Sequence, residues 1–188
     1  MYYCPMNDTK SKIIHIAENL IRTRGYNGFS YKDISSELNI KNAAVHYHFP
    51  TKVELGIAVI QHTRHDFEVK FKKSHFDGNN KERLKQFIDL YSKSSKRGIV
   101  CFMGALGPSY DLLHPKIQDA LTQAGKEIRD CVCIILEEGR MSGEFHFKGT
   151  VKSKADLIIT SLMASLILNK VTKEDVFSNS VDQILTTI

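Results

Sequence analysis

An all-α protein with a head of short helices near its N-terminus follows from three features of this 188-residue chain. Apolar residues recur at helical spacing over nearly the whole length, one early stretch is tightly punctuated, and strands find no place. The first helix, about 8–24, carries Ile13, Ala17, Leu20 and Ile21 on one stripe, and Gly25 to Ser30 interrupts it. Two much shorter helices follow, about 31–38 and 42–48, and a fourth begins after Thr51 with Leu55, Ala58, Val59, His62, Phe67 and Phe71 on its apolar side. Beyond residue 80 the helices carry larger apolar faces: Leu84, Phe87, Ile88 and Tyr91, then Ile117, Leu121, Ala124, Ile128, Cys131 and Ile135. The last two helices are expected at about 152–170 and 174–187, for about nine in all. The alternation at Glu144-Phe145-His146-Phe147 is short and follows the Met141-Ser142-Gly143 turn signal, so it reads as loop.

The composition, 42% hydrophobic and 25% charged, is that of an ordinary globular chain and excludes disordered and fibrous classes. No run approaches the roughly 18 consecutive apolar residues of a membrane span, and the first residues lack an apolar export core, so a cytoplasmic protein without a membrane partner is expected. Cys4, Cys101, Cys131 and Cys133 fall in no framework spacing, and structural disulfides are not expected. Cys131 and Cys133 are two apart on a helix and diverge, which disfavours both a metal site and a mutual disulfide. No metal or cofactor is expected.

Net charge is +5, unevenly distributed: residues 1–52 hold seven Lys/Arg against four Asp/Glu, the rest nineteen against seventeen. More than half of the excess lies in about a quarter of the chain, which suits contact with a polyanion. Within that quarter, Ser30 and Asp33 have capping-box spacing, as do Thr51 and Glu54. Asn39, tolerant of left-handed backbone angles, can turn the chain sharply between the two short helices. Three helices with a tight turn between the last two make a helix-turn-helix, in which the start of the third helix enters the major groove. Ile34, Leu38, Ile40, Val45 and Phe49 can form its buried set. Lys41, Asn42, Ala43, Ala44, His46, Tyr47 and His48 are then left to the outside. Asn42 can pair with adenine, His46 with a base edge or phosphate, and the alanine methyl groups with thymine methyls. Tyr47, His48 and Lys52 suit phosphates. His46 and His48, two apart on a helix, make a poor metal pair.

Residues 9–60 resemble the DNA-binding domain of the TetR family of bacterial transcriptional repressors. The resemblance rests on Gly25-Tyr-Asn-Gly-Phe-Ser-Tyr-Lys-Asp-Ile34 and on Ile40-Lys-Asn-Ala-Ala-Val-His-Tyr-His-Phe-Pro-Thr-Lys52. There the family shows Ser-Lys-Gly-x-Leu-Tyr-Tyr-His-Phe-x-x-Lys. Lys41 stands at the usual serine, Ala43 at the glycine and His46 at the first tyrosine. The resemblance implies DNA contacts from Tyr31 and Lys32, from Lys41 to His48, and from Lys52. It also implies a DNA-binding domain over 1–52, with helix 4 connecting from about residue 52 to a ligand-binding and dimerisation domain over 53–188. The last two helices of two protomers would pack as a four-helix interface; Ile159, Leu162, Met163, Leu166 and Ile184 are the candidates.

In the C-terminal part the segment 99–115 is rich in Gly and Pro yet apolar, and such segments often line cavities. Tyr110, Asp111 and His114 offer polar groups there, while Cys101, just after Lys96 and Arg97, is a candidate sensor of an electrophile, oxidant or apolar ligand. The function expected is a ligand-responsive repressor, homodimeric on double-stranded palindromic operator DNA and released by a small-molecule or electrophile inducer. Two rivals remain: a helical thiol enzyme with Cys101 as nucleophile and His114 as base, lacking any oxyanion motif, and an effector-blind DNA binder.

Overall fold

The computed structural model describes residues 8–71 and 78–188; Cys4, Lys72 and Lys73 lie outside the described residues. These form nine α-helices and two 3-10 turns, with no strand among the described residues. In chain order the helices are α1 Thr9–Arg24, α2 Tyr31–Leu38, α3 Asn42–His48, α4 Lys52–Phe71, α5 Asn80–Lys96, α6 Phe102–Leu106, α7 Pro115–Met141, α8 Val151–Thr172 and α9 Val176–Thr186. The 3-10 turns are Tyr26–Gly28 and Gly107–Leu112. Helical spacing therefore placed the elements, and Phe145 explains the irregular 142–150 link. Gly139 leaves a gap on α7 that the Phe145 ring fills, folding the loop back onto the helix.

Two compact units arise: residues up to Glu68 with Ala105–Ala124, and Val69–Gly104 with Gly125–Ile188. They do not coincide with a division at residue 52. Most of α4 belongs with the first unit, as does the start of α7, because Gly56 on α4 is buried where Ile117 and the Tyr26 ring close in. A Cβ at Gly56 would lie 2.9 Å from Tyr26 Cε2 and 3.1 Å from Ile117 Cδ1.

In the first unit α1 buries Ile13, Ala17, Leu20 and Ile21, the predicted stripe. Helices α2 and α3 are too short to persist alone and depend on caps and packing. The Asp33 carboxylate accepts from the Ser30 amide at 2.8 Å and from its hydroxyl at 2.7 Å. These bonds, joined by Arg24, hold its carboxyl down at about 2. The second box is reciprocal: the Thr51 amide donates to Glu54 and the Glu54 amide to Thr51 Oγ1, both at 3.2 Å. Asn39 takes the left-handed conformation, φ 55°, and its amide closes onto the Ser35 and Ser36 carbonyls, ending α2 as expected.

In the second unit α5, α8 and α9 pack together around Phe87, Leu84, Ile158 and Phe177. Asn169 ties them: it donates to Ser95 Oγ at 3.1 Å and accepts from the Phe177 amide at 2.9 Å. Arg129 of α7 grips Asp156 of α8 through two hydrogen bonds, and Arg83 of α5 pairs with Glu138 of α7. By length and composition α8 could cross a membrane. Its apolar residues are not consecutive, since Asp156, Thr160, Ser161, Ser165 and Asn169 interrupt them. One side of this helix buries Ala155, Ile158, Ile159, Leu162 and Leu166, while Leu157, Ile167, Leu168 and Val171 are exposed, so its apolar excess is not all used in the core.

Candidate nucleic-acid interface

Helix α3 buries a single residue, Val45, and its neighbours follow from that anchor. Lys41, Asn42, Ala43, His46 and Tyr47 are exposed, and Ala44 and His48 half-buried. Tyr47 is 83% exposed, so its ring contributes no core packing; it meets His48 edge-on at 5.3 Å. The His46 ring lies 4.6 Å from that of Tyr31, which braces it against α2. Lys41 provides no side-chain cap to α3, in keeping with its place at the usual serine. The face left outward is polar and narrow, with a basic residue at one end and two histidines and a tyrosine at the other.

Two residues expected to contact DNA from the starts of α2 and α4 have partners within the protein. Tyr31 is buried, and its hydroxyl donates to the Phe49 carbonyl at 2.8 Å, pinning α2 to the end of α3. Burial, reinforced by the charges of Tyr26 and Glu54, pushes its hydroxyl up to about 12. Lys52 is half-buried, its ammonium donating to the Phe29 carbonyl and lying 4.1 Å from the Phe29 ring centre and 5.1 Å from that of Tyr26. Desolvation there lowers its pKa. The sequence pattern could not separate these residues from true surface groups, because their partners are carbonyls and rings distant in the chain. Tyr26, which the sequence did not single out, completes this clamp by donating to the Lys52 carbonyl at 2.9 Å, and burial raises it to about 12. Lys32 remains exposed on α2.

The expected effector and dimer residues divide similarly. Cys101 is half-buried, with Sγ accepting from the Gly104 amide at 3.3 Å. Tyr91 is buried; burial and the nearby Cys101 raise its hydroxyl pKa. Tyr110 Oη shares a 2.7 Å hydrogen bond with Thr122, and exposed His114 accepts the Lys116 amide at 3.3 Å through Nδ1. Burial pushes the Cys131 thiol up to about 11, despite Arg83, and also raises Cys133. Ile159, Leu162, Leu166 and Ile184 are buried within the protomer and Met163 half-buried, so the core already uses the predicted dimer set. The apolar surface that α8 leaves is Leu157, Ile167, Leu168 and Val171, and Leu157, Leu168 and Val171 are in register with Ser161 and Ala164. Their 4-3-4-3 spacing is the signal that could have found them. Beside it runs a groove of about 380 Å³ between α8 and α9, lined by Leu157, Ser161, Asn179 and Gln183 among others.

Residues 13–59 match the profile of bacterial regulatory proteins of the tetR family, and residues 81–184 that of the tetracyclin repressor-like C-terminal domain. The chain belongs to the TetR family. It is a DNA-binding transcriptional regulator. A crystal structure of a TetR transcriptional regulator from Legionella pneumophila superposes with a TM-score of 0.87 at 28% identity, covering 98% of this chain and 100% of that one. An HTH-type transcriptional regulator from the lacX 3' region of Lactococcus lactis subsp. lactis is 27% identical over 179 residues, 90% of this chain and 87% of its own length. The biofilm operon icaADBC negative regulator IcaR of Staphylococcus epidermidis is 26% identical over 121 residues. That match covers 64% of this chain and 65% of IcaR, just under two thirds of the relative.

Proposed function

We propose that this chain is a cytoplasmic homodimeric repressor that reads a palindromic duplex with one α3 in each half-site and is released by an inducer. The observation that carries this reading is the exposure of Tyr47 beside Asn42, Ala43 and His46 on a helix that buries only Val45. A large aromatic left in water with polar neighbours has a use when a phosphate strand and base edges meet it. Asn42 and His46 read bases, Ala43 and Ala44 admit the close approach of the groove, and Tyr47, His48, Lys32 and Lys41 hold the backbone. The second copy is supported by the Leu157, Leu168 and Val171 stripe, where the heptad-like spacing suits a helix of a partner protomer. Half-sites would then lie about one helical turn, roughly 34–36 Å, or a multiple apart.

Selection of duplexes from a random-sequence pool tests the reading. The expected result is an enriched palindrome bound by two protomers; enrichment of no sequence would overturn it. For the inducer, the reading places the contact at Cys101, where added bulk would disturb the packed Tyr91 and Phe102 side chains. A thiol-reactive electrophile should release DNA from the wild type and not from Cys101→Ser; equal release from both would exclude Cys101.

A further inference from the structure

His62 lies on the apolar side of α4, half-buried against α1 and away from the outward face of α3. Its ring meets that of His15 edge-to-face, with centres 4.8 Å apart and planes at 80°. Its Nε2 is sealed from water and has no hydrogen-bond partner among the described residues. The Asp66 carboxylate, one turn along α4, stands 3.8 Å from that nitrogen, just beyond hydrogen-bond reach. All three residues belong to the first unit. The other charged or titratable groups near them on the two helices are Lys12, three residues before His15; Glu18, which Arg22 pairs at 3.0 Å; and exposed His65 beside Asp66. The start of α7 packs on another side of α4, where Gln123 accepts from Arg64 at 3.5 Å.

A neutral imidazole in this place either leaves Nε2 bare or turns an N–H toward a carboxylate too far to accept it. Both arrangements are costly for a ring nitrogen that water cannot reach. An imidazolium has what the neutral ring lacks, because its Nε2–H faces an anion. A small rotation of Asp66, which is exposed, closes the bond. The contact with His15 accommodates a charge on one ring only, since two imidazolium rings at this separation repel.

We propose that His62, Asp66 and His15 form a proton-sensitive joint between α1 and α4. One proton, taken from solvent and held on His62 toward Asp66, tightens the contact; a second, on His15, opposes it. The closed joint fastens the C-terminal half of α4 to the helix that begins the head. Histidines change charge between pH 5 and 8. A fold that binds a proton more tightly than its unfolded chain gains stability as pH falls through that range.

Thermal midpoints of the full chain, measured at fixed salt between pH 8 and pH 5, test the joint. As pH falls to about 6, the wild type should gain about 2–4 °C over His62→Gln, and Asp66→Asn should abolish that gain. His15→Phe keeps a ring and removes the second charge, so it should retain the gain and extend it toward pH 5. Wild type and His62→Gln moving in parallel, a gain that survives Asp66→Asn, or its loss in His15→Phe would each overturn the proposal. If His62→Gln does not fold, Asp66→Asn and His15→Phe decide, since both positions are exposed. None of these measurements uses DNA: failure here leaves the reading of α3 standing, and a chain that selects no duplex leaves the joint standing.

Discussion

Helices α3 and α8 each leave one side exposed, but they reach that state by opposite routes. Helix α3 has seven residues and buries one of them; it is held by the Tyr31 hydroxyl, the Asn39 turn and the Phe49 ring, all outside the helix. Helix α8 has 22 residues and buries seven, including Lys154, whose ammonium donates to the Thr187 carbonyl at 2.8 Å. What α3 leaves outward is polar, with one large aromatic; what α8 leaves outward is apolar at heptad-like spacing. A helix stabilised from outside itself can spend its side chains on a charged partner. A helix stabilised by its own core contacts has spare apolar surface, which suits another helix.

The largest effect that can test this contrast concerns α8. Leu168→Glu combined with Val171→Glu places two charges on the outward stripe without touching the buried side, so the protomer should remain folded while the dimer dissociates. Sedimentation should show monomer, and operator affinity should fall roughly 100-fold or more as bivalent engagement is lost. A dimer that persists would move the interface off this stripe.

Tyr31 and Tyr47 sharpen the difference between holding α3 and using it. Tyr31→Phe strands the Phe49 carbonyl in a buried site and should cost about 1–3 kcal/mol of stability in urea unfolding, with DNA affinity preserved wherever the protein is folded. Tyr47→Ala should change stability by less than about 0.5 kcal/mol and weaken every duplex roughly 10- to 100-fold, the worth of a hydrogen bond to a charged group. Exchange of these two outcomes would reverse the roles given to the rings.

The smallest effect is alkaline. Tyr26 and Tyr31 have hydroxyls raised to about 12 against the ordinary 10, so the folded head favours their neutral forms. Their contribution is complete below pH 10 and is lost as pH rises through about 12. Unfolding of the head followed from pH 9 to 12 should steepen above pH 10, and Tyr26→Phe should blunt that dependence. A profile identical to the wild type would show that the Tyr26 hydroxyl is not held in its neutral form.

The helix-turn-helix was legible because its determinants are local. Ser30 and Asp33, Thr51 and Glu54, and Asn39 act within three or four residues of themselves, and each does in the structure what its spacing implies. The roles of Tyr31 and Lys52 were not legible, since the carbonyls they bond are 18 and 23 residues away. On α8 the apolar arc was visible, but its division between core and outside depends on where α5 and α9 pack. The residues chosen for a partner, Ile159, Leu162, Leu166 and Ile184, are those the protomer itself buries.

Single-base-pair profiling of the selected duplex shows whether the outward face of α3 reads base edges. Affinities of the wild type, Asn42→Ala and His46→Ala are measured against every single substitution in a half-site. Each variant should lose discrimination at one base pair, worth about 1–3 kcal/mol, and keep the wild-type preference elsewhere. Uniform weakening at all positions, with the preference profile unchanged, would contradict it.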